Sequence, residues 1–368
     1  MYVNRSFVLV AMAFALLQSM VQPSYSETWH VYEDGSGDAP TIQAAIDSAS
    51  AGDDVLIHPG VYSDLHPDPW GDWNTIITMK DSIWIHSSDG PEVTILDAQD
   101  QGRVVVCWAE YAGNISSEAV VEGLTLTHGR EGGYGAPGGG AINVEGSPSP
   151  DLCTPVFKGL HIVENNALSG AALEILFASP TISGCWIEGN FSSIDIIGTF
   201  DGTLTFRQNV VVNNTCSDFP LFRFHSNTAF IEGNTFAFNE SGSYGGIIEH
   251  TGSGTYKNNI IAFNVGSGNA SLEHLECSCN DVYGNLIDFG PFGVDGHISA
   301  DPQFCDPDNG DFTLTASSPC LPGHHPDNTD CGLIGALPIG CPISSVPTPA
   351  PIPTTWGLLK LNSRENKR

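Results

Sequence analysis

Basic side chains are scarce in this chain. Twelve Lys and Arg stand against 42 Asp and Glu in 368 residues, for a formal charge of −30. A field of that sign repels phosphate backbones, which excludes nucleic acid as a partner. Arg5 and the four residues Lys360, Arg364, Lys367 and Arg368 lie near the ends, so the body keeps only seven basic groups. Long apolar runs are equally scarce. Phe7 to Leu17 is shorter than the ~20 residues a spanning helix needs, and no later segment reaches that length. With Arg5 ahead of it and Ser24-Tyr25-Ser26 behind, this run reads as a secretory signal over residues 1–26, cleaved before Glu27. The expectation is export to the medium or the cell surface, with no transmembrane segment after cleavage.

Ten cysteines are an even set, and in an exported chain disulfides are the default. Cys305, Cys320, Cys331 and Cys341 cluster late, and neighbourhood in sequence suggests Cys305 with Cys320 and Cys331 with Cys341. Four cysteines allow three pairings, and spacing leaves the choice open. Cys277-Ser278-Cys279 has neither the spacing nor the partner pair of a zinc ribbon, and no metal site is assigned.

Asparagine recurs with a period. Asn166, Asn190, Asn214, Asn239, Asn264 and Asn285 follow one another at 24, 24, 25, 25 and 21 residues. A second series, His161, Cys185, Asn209, Asn234, Asn259 and Asn280, runs five residues ahead. Between them lie short apolar pieces such as Val210-Val211-Val212 and Phe236-Ala237-Phe238, too short for helices and suited to strands. A repeat of this length with several short strands describes a β-solenoid, each coil covering the apolar face of the one before. The chain is expected to be all-β, with Asn ladders at the bends and roughly ten coils stacked about 4.8 Å apart into a rod about 45–50 Å long.

Thr41 can cap a helix whose Ile42, Ala45, Ile46 and Ala49 share a face, Gly52 ends it, and Val55-Leu56-Ile57 forms a strand. Pro40 to Asp47, Ala51 to Ile57 and Pro59-Gly60-Val61-Tyr62 together resemble the opening segment of secreted bacterial right-handed parallel β-helix proteins of the pectin-lyase-like superfamily. Ser299 to Cys305, Ser318-Pro319-Cys320 and Gly332 to Ala336 are similar to the closing segment of bacterial members, so the resemblance spans about residues 30 to 341. It implies a right-handed parallel β-helix with an N-terminal capping helix. The divisions expected are cap and first coil 27–62, coils 63–298, closing segment 299–345, and a Pro-rich linker and tail 346–368.

In this superfamily the ligand groove crosses one parallel sheet. Here the resemblance places it on Ala141–Glu145, Ala171–Leu176, Ile194–Gly198, Leu221–His225, Gly246–His250 and Leu272–Glu276. Alternation then turns Leu173, Ile175, Ile194, Ile196, Phe222 and Phe224 inward. Glu174, Asp195, Arg223 and His225 point outward as the catalytic candidates, with Glu145 and Glu249 as substrate-binding candidates. Two carboxylates on adjacent coils can serve as acid and base in glycoside cleavage, and Arg223 is the best placed basic residue for a lyase. Trp70 and Trp73 offer faces for stacking on sugars, or fill the core.

The motif sets of polygalacturonase-like, alginate-epimerase-like and pectate-lyase-like enzymes are not present as sets. Asn328-Thr329-Asp330 is the one good match and falls in the closing segment. Calcium stays an open alternative at Asp306 to Asp311, where Gly310 replaces an oxygen ligand of an EF-hand loop and a capping turn is the competing reading. The Gly132–Gly140 run lacks Gly-Lys-Ser/Thr and reads as a loop beside the groove. The function expected is polysaccharide binding or a cell-surface role, the alternative being a lyase or glycoside hydrolase acting on acidic polysaccharide.

Overall fold

The computed structural model describes residues 26–341 except 72, 132–137, 148–152, 226–227, 243–245, 267–274 and 287–292. The expected signal, the tail, most of the Gly132–Gly140 loop and most of Leu272–Glu276 therefore lie outside the described residues.

Apart from the 11-residue Ile197–Arg207, the strands hold two to six residues, too small to bury a face alone, and the chain solves this by stacking coil on coil. One wall is a nine-stranded parallel sheet running from Gly60–Tyr62 to Asp281–Tyr283. The other two walls join into a 17-stranded sheet because Ile197–Arg207 runs through both. That strand turns the corner at Asp201 (φ 57°) and Gly202 (φ 96°). Leu173, Ile175, Phe222, Phe224, Ile182, Phe206, Ile187, Val211 and Phe236 all bury inside the tube in one continuous core. The fold is a right-handed parallel β-helix of the pectin-lyase-like type, as the sequence led us to expect.

Two asparagine ladders run along it, with a correction of register. The first begins at Asn165, whose Nδ2 and backbone N–H both donate to Asn190 Oδ1 at 2.9 and 3.0 Å. Asn166 is exposed and starts the short strand Asn166–Ala167. The ladder continues through Asn214, Asn239, Asn264 and Asn285. Each Nδ2 also reaches the carbonyl of an earlier coil, as Asn190 does to Ile162. The second ladder joins Asn209, Asn234, Asn259 and Asn280, and Cys185 hands its N–H to Asn209 Oδ1. The position expected for His161 belongs to Leu160, whose carbonyl accepts from Trp186. The left-handed backbone sits one residue before each rung, at Glu164, Gly189, Gln208, Asn213, Gly233, Phe238, Asn258, Phe263, Cys279 and Gly284. The rung residue itself is spared that strain and supplies the amide.

At the N-terminal end, Thr41 Oγ1 accepts from Ala44 N at 3.2 Å, and Ile42–Ser48 forms a helix that buries Ile42, Ala45 and Ile46 over the first coil. This covers strand edges that would otherwise recruit other chains. The helix ends at Ala49, which is already extended (φ −64°, ψ 146°), and Gly52 turns the chain later.

The far end is closed differently. Phe304, Phe312, Leu314, Leu321 and Ile334 pack on Val210, Val212, Ala237, Ile260 and Ala262, which face outward from the nine-stranded wall. A second apolar layer therefore lies outside the tube. The disulfides are Cys279–Cys331 and Cys305–Cys341, which corrects the pairing expected from proximity in sequence. Cys331 faces the last coil, and Cys320 keeps its thiol, donating to Asp281 Oδ2 at 3.2 Å. Asp306 to Asp311 is a capping turn: Pro307–Asn309 makes one 3-10 turn, closed by left-handed Gly310.

Candidate functional site

The groove wall consists of Asn74–Thr78, Arg103–Trp108, Ile142–Glu145, Leu173–Ala178, the first part of Ile197–Arg207, Phe222–His225 and Ile248–His250. Glu276, expected here, starts a strand of the neighbouring wall instead. Register sets one outward row across it: Asn143 pairs with Glu174, Glu174 with Gly198, Gly198 with Arg223, and Arg223 with Glu249. A second outward row carries Trp108, Glu145, Leu176, Phe200 and His225.

Asp195 reaches this row from outside its strand. Ser192 Oγ accepts from the N–H groups of Ile194 and Asp195 and donates to Leu168 O, which holds the chain in a turn. The strand therefore starts at Ile197, and Ile197 and Thr199 face inward in line with Leu173 and Ile175. Ile194 is half-buried before the strand begins, a correction to the expected phase.

The turn lays Asp195 over Gly198, where Glu174 also leans. A Cβ on Gly198 would stand 2.6 Å from Glu174 Oε2 and 2.8 Å from Asp195 Oδ1, so the two carboxyls meet only because that residue has none. Gly138 and Gly170 complete the cage, each leaving room that a Cβ would take from Glu174. Ser169 Oγ lies 3.2 Å from both Glu174 Oε2 and Asp195 Oδ1. Asp195 further accepts from Gly170 N at 2.6 Å and faces Arg223 Nη1 at 3.3 Å.

Electrostatics separates the two acids. Burial and then the adjacent Asp195 charge push the Glu174 carboxyl well above the usual carboxylate range. Asp195 is also raised by burial, against the Gly170 N–H and the Arg223 charge, which favour its ionised form. The contacts that favour ionisation thus gather on Asp195, and the pair shares its protons as one coupled unit.

Arg223, His225 and Glu249 form the accessible rim. Arg223 Nε lies 3.6 Å from Glu249 Oε2 and His225 Nε2 lies 3.6 Å from Glu249 Oε1. The Arg223 guanidinium sits 5.8 Å over Phe200 and 5.6 Å over Phe219, whose ring is exposed. Of the expected residues, Glu174, Asp195, Arg223, His225 and Glu249 thus converge.

The others gather at the N-terminal end of the groove. Glu145 pairs in register with Trp108, and its carboxyl is raised by burial and by Glu110. Trp70 stacks on Trp108 at 4.7 Å and Trp108 on Tyr111 at 6.3 Å. Trp73 is half-buried, and its backbone N–H meets Asp68 Oδ1 at 3.4 Å. Sequence reasoning missed what stands beneath: Arg103, wholly buried, bonds Asp68 at 2.7 Å and lies 5.4 Å from the Trp70 ring. The available signal was a charge at the head of Arg103-Val-Val-Val-Cys-Trp in a chain poor in bases. A cleft of about 370 Å³ on another face is lined by Arg207, Glu232 and Lys257. It is far from the paired acids in the register, and these three side chains are exposed.

Among the described residues, no group of three or more His, Cys, Asp or Glu side chains is placed to hold a metal ion. Among the described residues, no helix is long and apolar enough to cross a membrane. The chain matches no protein-family model and no curated protein. Among solved structures it is similar to the pectate lyase Pel9A, at 15% identity and a TM-score of 0.56, over 86% of this chain and 97% of that one. A pectin methylesterase from carrot aligns at 14% identity and a TM-score of 0.40, over 77% of this chain and 90% of that one. At such identities the likeness extends to the fold, which hosts several chemistries.

Proposed function

We propose that this is an exported protein that binds polysaccharide along the groove wall, with Arg223, His225 and Glu249 as the contacting rim. The observation that carries the reading is the in-register row from Asn143 to Glu249, which places a buried acid pair beside an accessible Arg flanked by Phe200 and Phe219. A partly open guanidinium over aromatic faces suits hydroxyl and carboxylate oxygens of a sugar chain. The two disulfides are consistent with an extracellular protein. The solved pectate lyase with this fold supports a polysaccharide as the ligand class.

A second reading, cleavage of the bound chain, is favoured by one specific feature. Burial raises both Glu174 and Asp195, and Glu174 also feels the Asp195 charge while the Gly170 N–H and Arg223 favour ionised Asp195, an asymmetry of the kind that glycoside hydrolysis uses. Arg223 is less suited to proton abstraction, because its guanidinium is already engaged by Asp195 and Glu249.

Retention of the chain on immobilised acidic and neutral polysaccharides tests the first reading, with release of reducing ends or unsaturated uronates as the readout for the second. Arg223→Ala is expected to weaken retention by about tenfold or more, as the loss of a central Arg anchor does. Equal retention of the variant and the parent chain would refute the groove. Product release that vanishes in Glu174→Gln would make the protein an enzyme.

A further inference from the structure

Six cysteines stand outside the two disulfides. Four of them have no sulfur neighbour within bonding contact. Cys185 faces the carbonyls of Phe157 and Ser183, Cys320 faces Asp281, and Cys216 and Cys277 stand apart on their strands. Cys107 and Cys153 differ. Their Sγ atoms lie 3.5 Å apart, and both side chains are buried in the main core, at 0% and 2% exposure. The residues are 46 apart in sequence, so this meeting is a product of the fold.

The surroundings favour a bond there. Cys107 sits in the groove strand Arg103–Trp108, opposite Val144. Cys153 pairs with Ile115 in an isolated parallel bridge. Gly146 lies against Cys153 and lets the Phe177 carbonyl approach, since a Cβ on that glycine would stand 1.9 Å from Phe177 O. Between the two sulfurs the chain leaves the strand at Trp108, passes through the short helix Ala109–Ala112 carrying Tyr111, and returns by the Ile115 bridge. A covalent link would therefore tie the root of this excursion to the strand that presents Trp108 to Trp70.

We propose that Cys107 and Cys153 form a third disulfide, a staple at the aromatic end of the groove, when the chain folds in the presence of a small-molecule disulfide such as oxidised glutathione. One thiol, as its thiolate, attacks the glutathione disulfide; a mixed disulfide forms and one glutathione leaves. The second thiolate attacks the protein sulfur of that mixed disulfide and expels the other glutathione. Two protein thiols are oxidised by two electrons, one glutathione disulfide is reduced to two thiols, and the two protons end on the glutathiones. The reaction belongs to folding, before the core closes. Burial in the finished fold then shields the bond from reductant and, in any unoxidised molecule, keeps the Cys107 thiol protonated and slow to react.

The test uses the full chain folded with a mixture of oxidised and reduced glutathione, denatured without reductant, alkylated, digested and read by mass spectrometry. Cys279–Cys331 and Cys305–Cys341 serve as internal controls that the sample has been oxidised. In that sample the expected result is a peptide pair joined through Cys107 and Cys153, two hydrogens lighter than its separate parts, and four alkylated cysteines in place of six. Alkylation of both Cys107 and Cys153, or a link from either to another cysteine, would overturn the proposal. A second measurement separates a bond from mere packing. The double variant Cys107→Ser, Cys153→Ser should unfold at lower temperature than the parent without reductant, and that gap should shrink when both chains are denatured and refolded in dithiothreitol, which reaches the sulfurs before the core closes. A gap that dithiothreitol leaves unchanged would mean that the two sulfurs only pack.

Discussion

Two sets of buried polar side chains run along this molecule, and they obey opposite rules. The asparagine ladders are neutral and repetitive. Asn234 Oδ1 accepts from Asn209 N and Nδ2, while its own Nδ2 serves Phe206 O and Asn259 Oδ1. Every bond is repeated one coil later. On the groove wall, Glu174 and Asp195 put two acids side by side out of water, share one serine hydroxyl, and lean on a single Arg. A satisfied neutral network adds roughly 1 kcal/mol per hydrogen bond. A buried pair of carboxyls is held against desolvation and, once both ionise, against repulsion. The ladder is explained by folding, whereas the acid cluster is accounted for by the binding proposed above.

The largest effect should come from breaking a rung. Asn234→Ala strands the donors of Asn209 and the carbonyl of Phe206 in the core, and a loss of about 3–5 kcal/mol is expected in chemical denaturation. Gly198→Ala comes next. Its new Cβ collides with both carboxyls, and a cost of about 1–3 kcal/mol should accompany a disturbed groove, checked by the same denaturation and by polysaccharide retention.

Glu174→Gln sharpens the contrast through pH. Because the folded Glu174 carboxyl titrates above its ordinary 4.5, its protonated form supports the fold at low pH, and that support fades as pH rises from 4.5 through the folded value. Denaturation of parent and variant across that range should show the parent losing stability relative to Glu174→Gln as pH increases. An unchanged difference would mean that the proton is not on Glu174. The smallest effect belongs to the exposed row on another wall. Glu232→Ala, between Arg207 and Lys257, should change stability by no more than about 0.5 kcal/mol.

Much of this contrast could be read from the residues, and its errors are instructive. The period near 24 gave coils and ladders, because stacking forces equivalent residues into equivalent places, and the family resemblance implied which sheet forms the groove wall. Asn166 was preferred to Asn165 because adjacent asparagines fit the period almost equally well, and only hydrogen bonding distinguishes them. The convergence of Glu174, Asp195 and Arg223 was anticipated, but Asp195 arrives by a serine-held turn that alternation does not describe. The Arg103–Asp68 pair, 35 residues apart, and the cage of Gly138, Gly170 and Gly198 depend on how turns fold back over the sheet. Disulfide partners were misjudged for the same reason: the closing segment folds back across the coils, bringing Cys331 to Cys279 while Cys320 meets Asp281.

The most direct test of the claim that the acid cluster serves binding and the ladder serves folding is to measure denaturation and polysaccharide retention of Glu174→Gln together at neutral pH. The account predicts stability equal to or above that of the parent chain, with retention or cleavage impaired. A variant destabilised as severely as Asn234→Ala, with retention intact, would place Glu174 among the structural groups and contradict it.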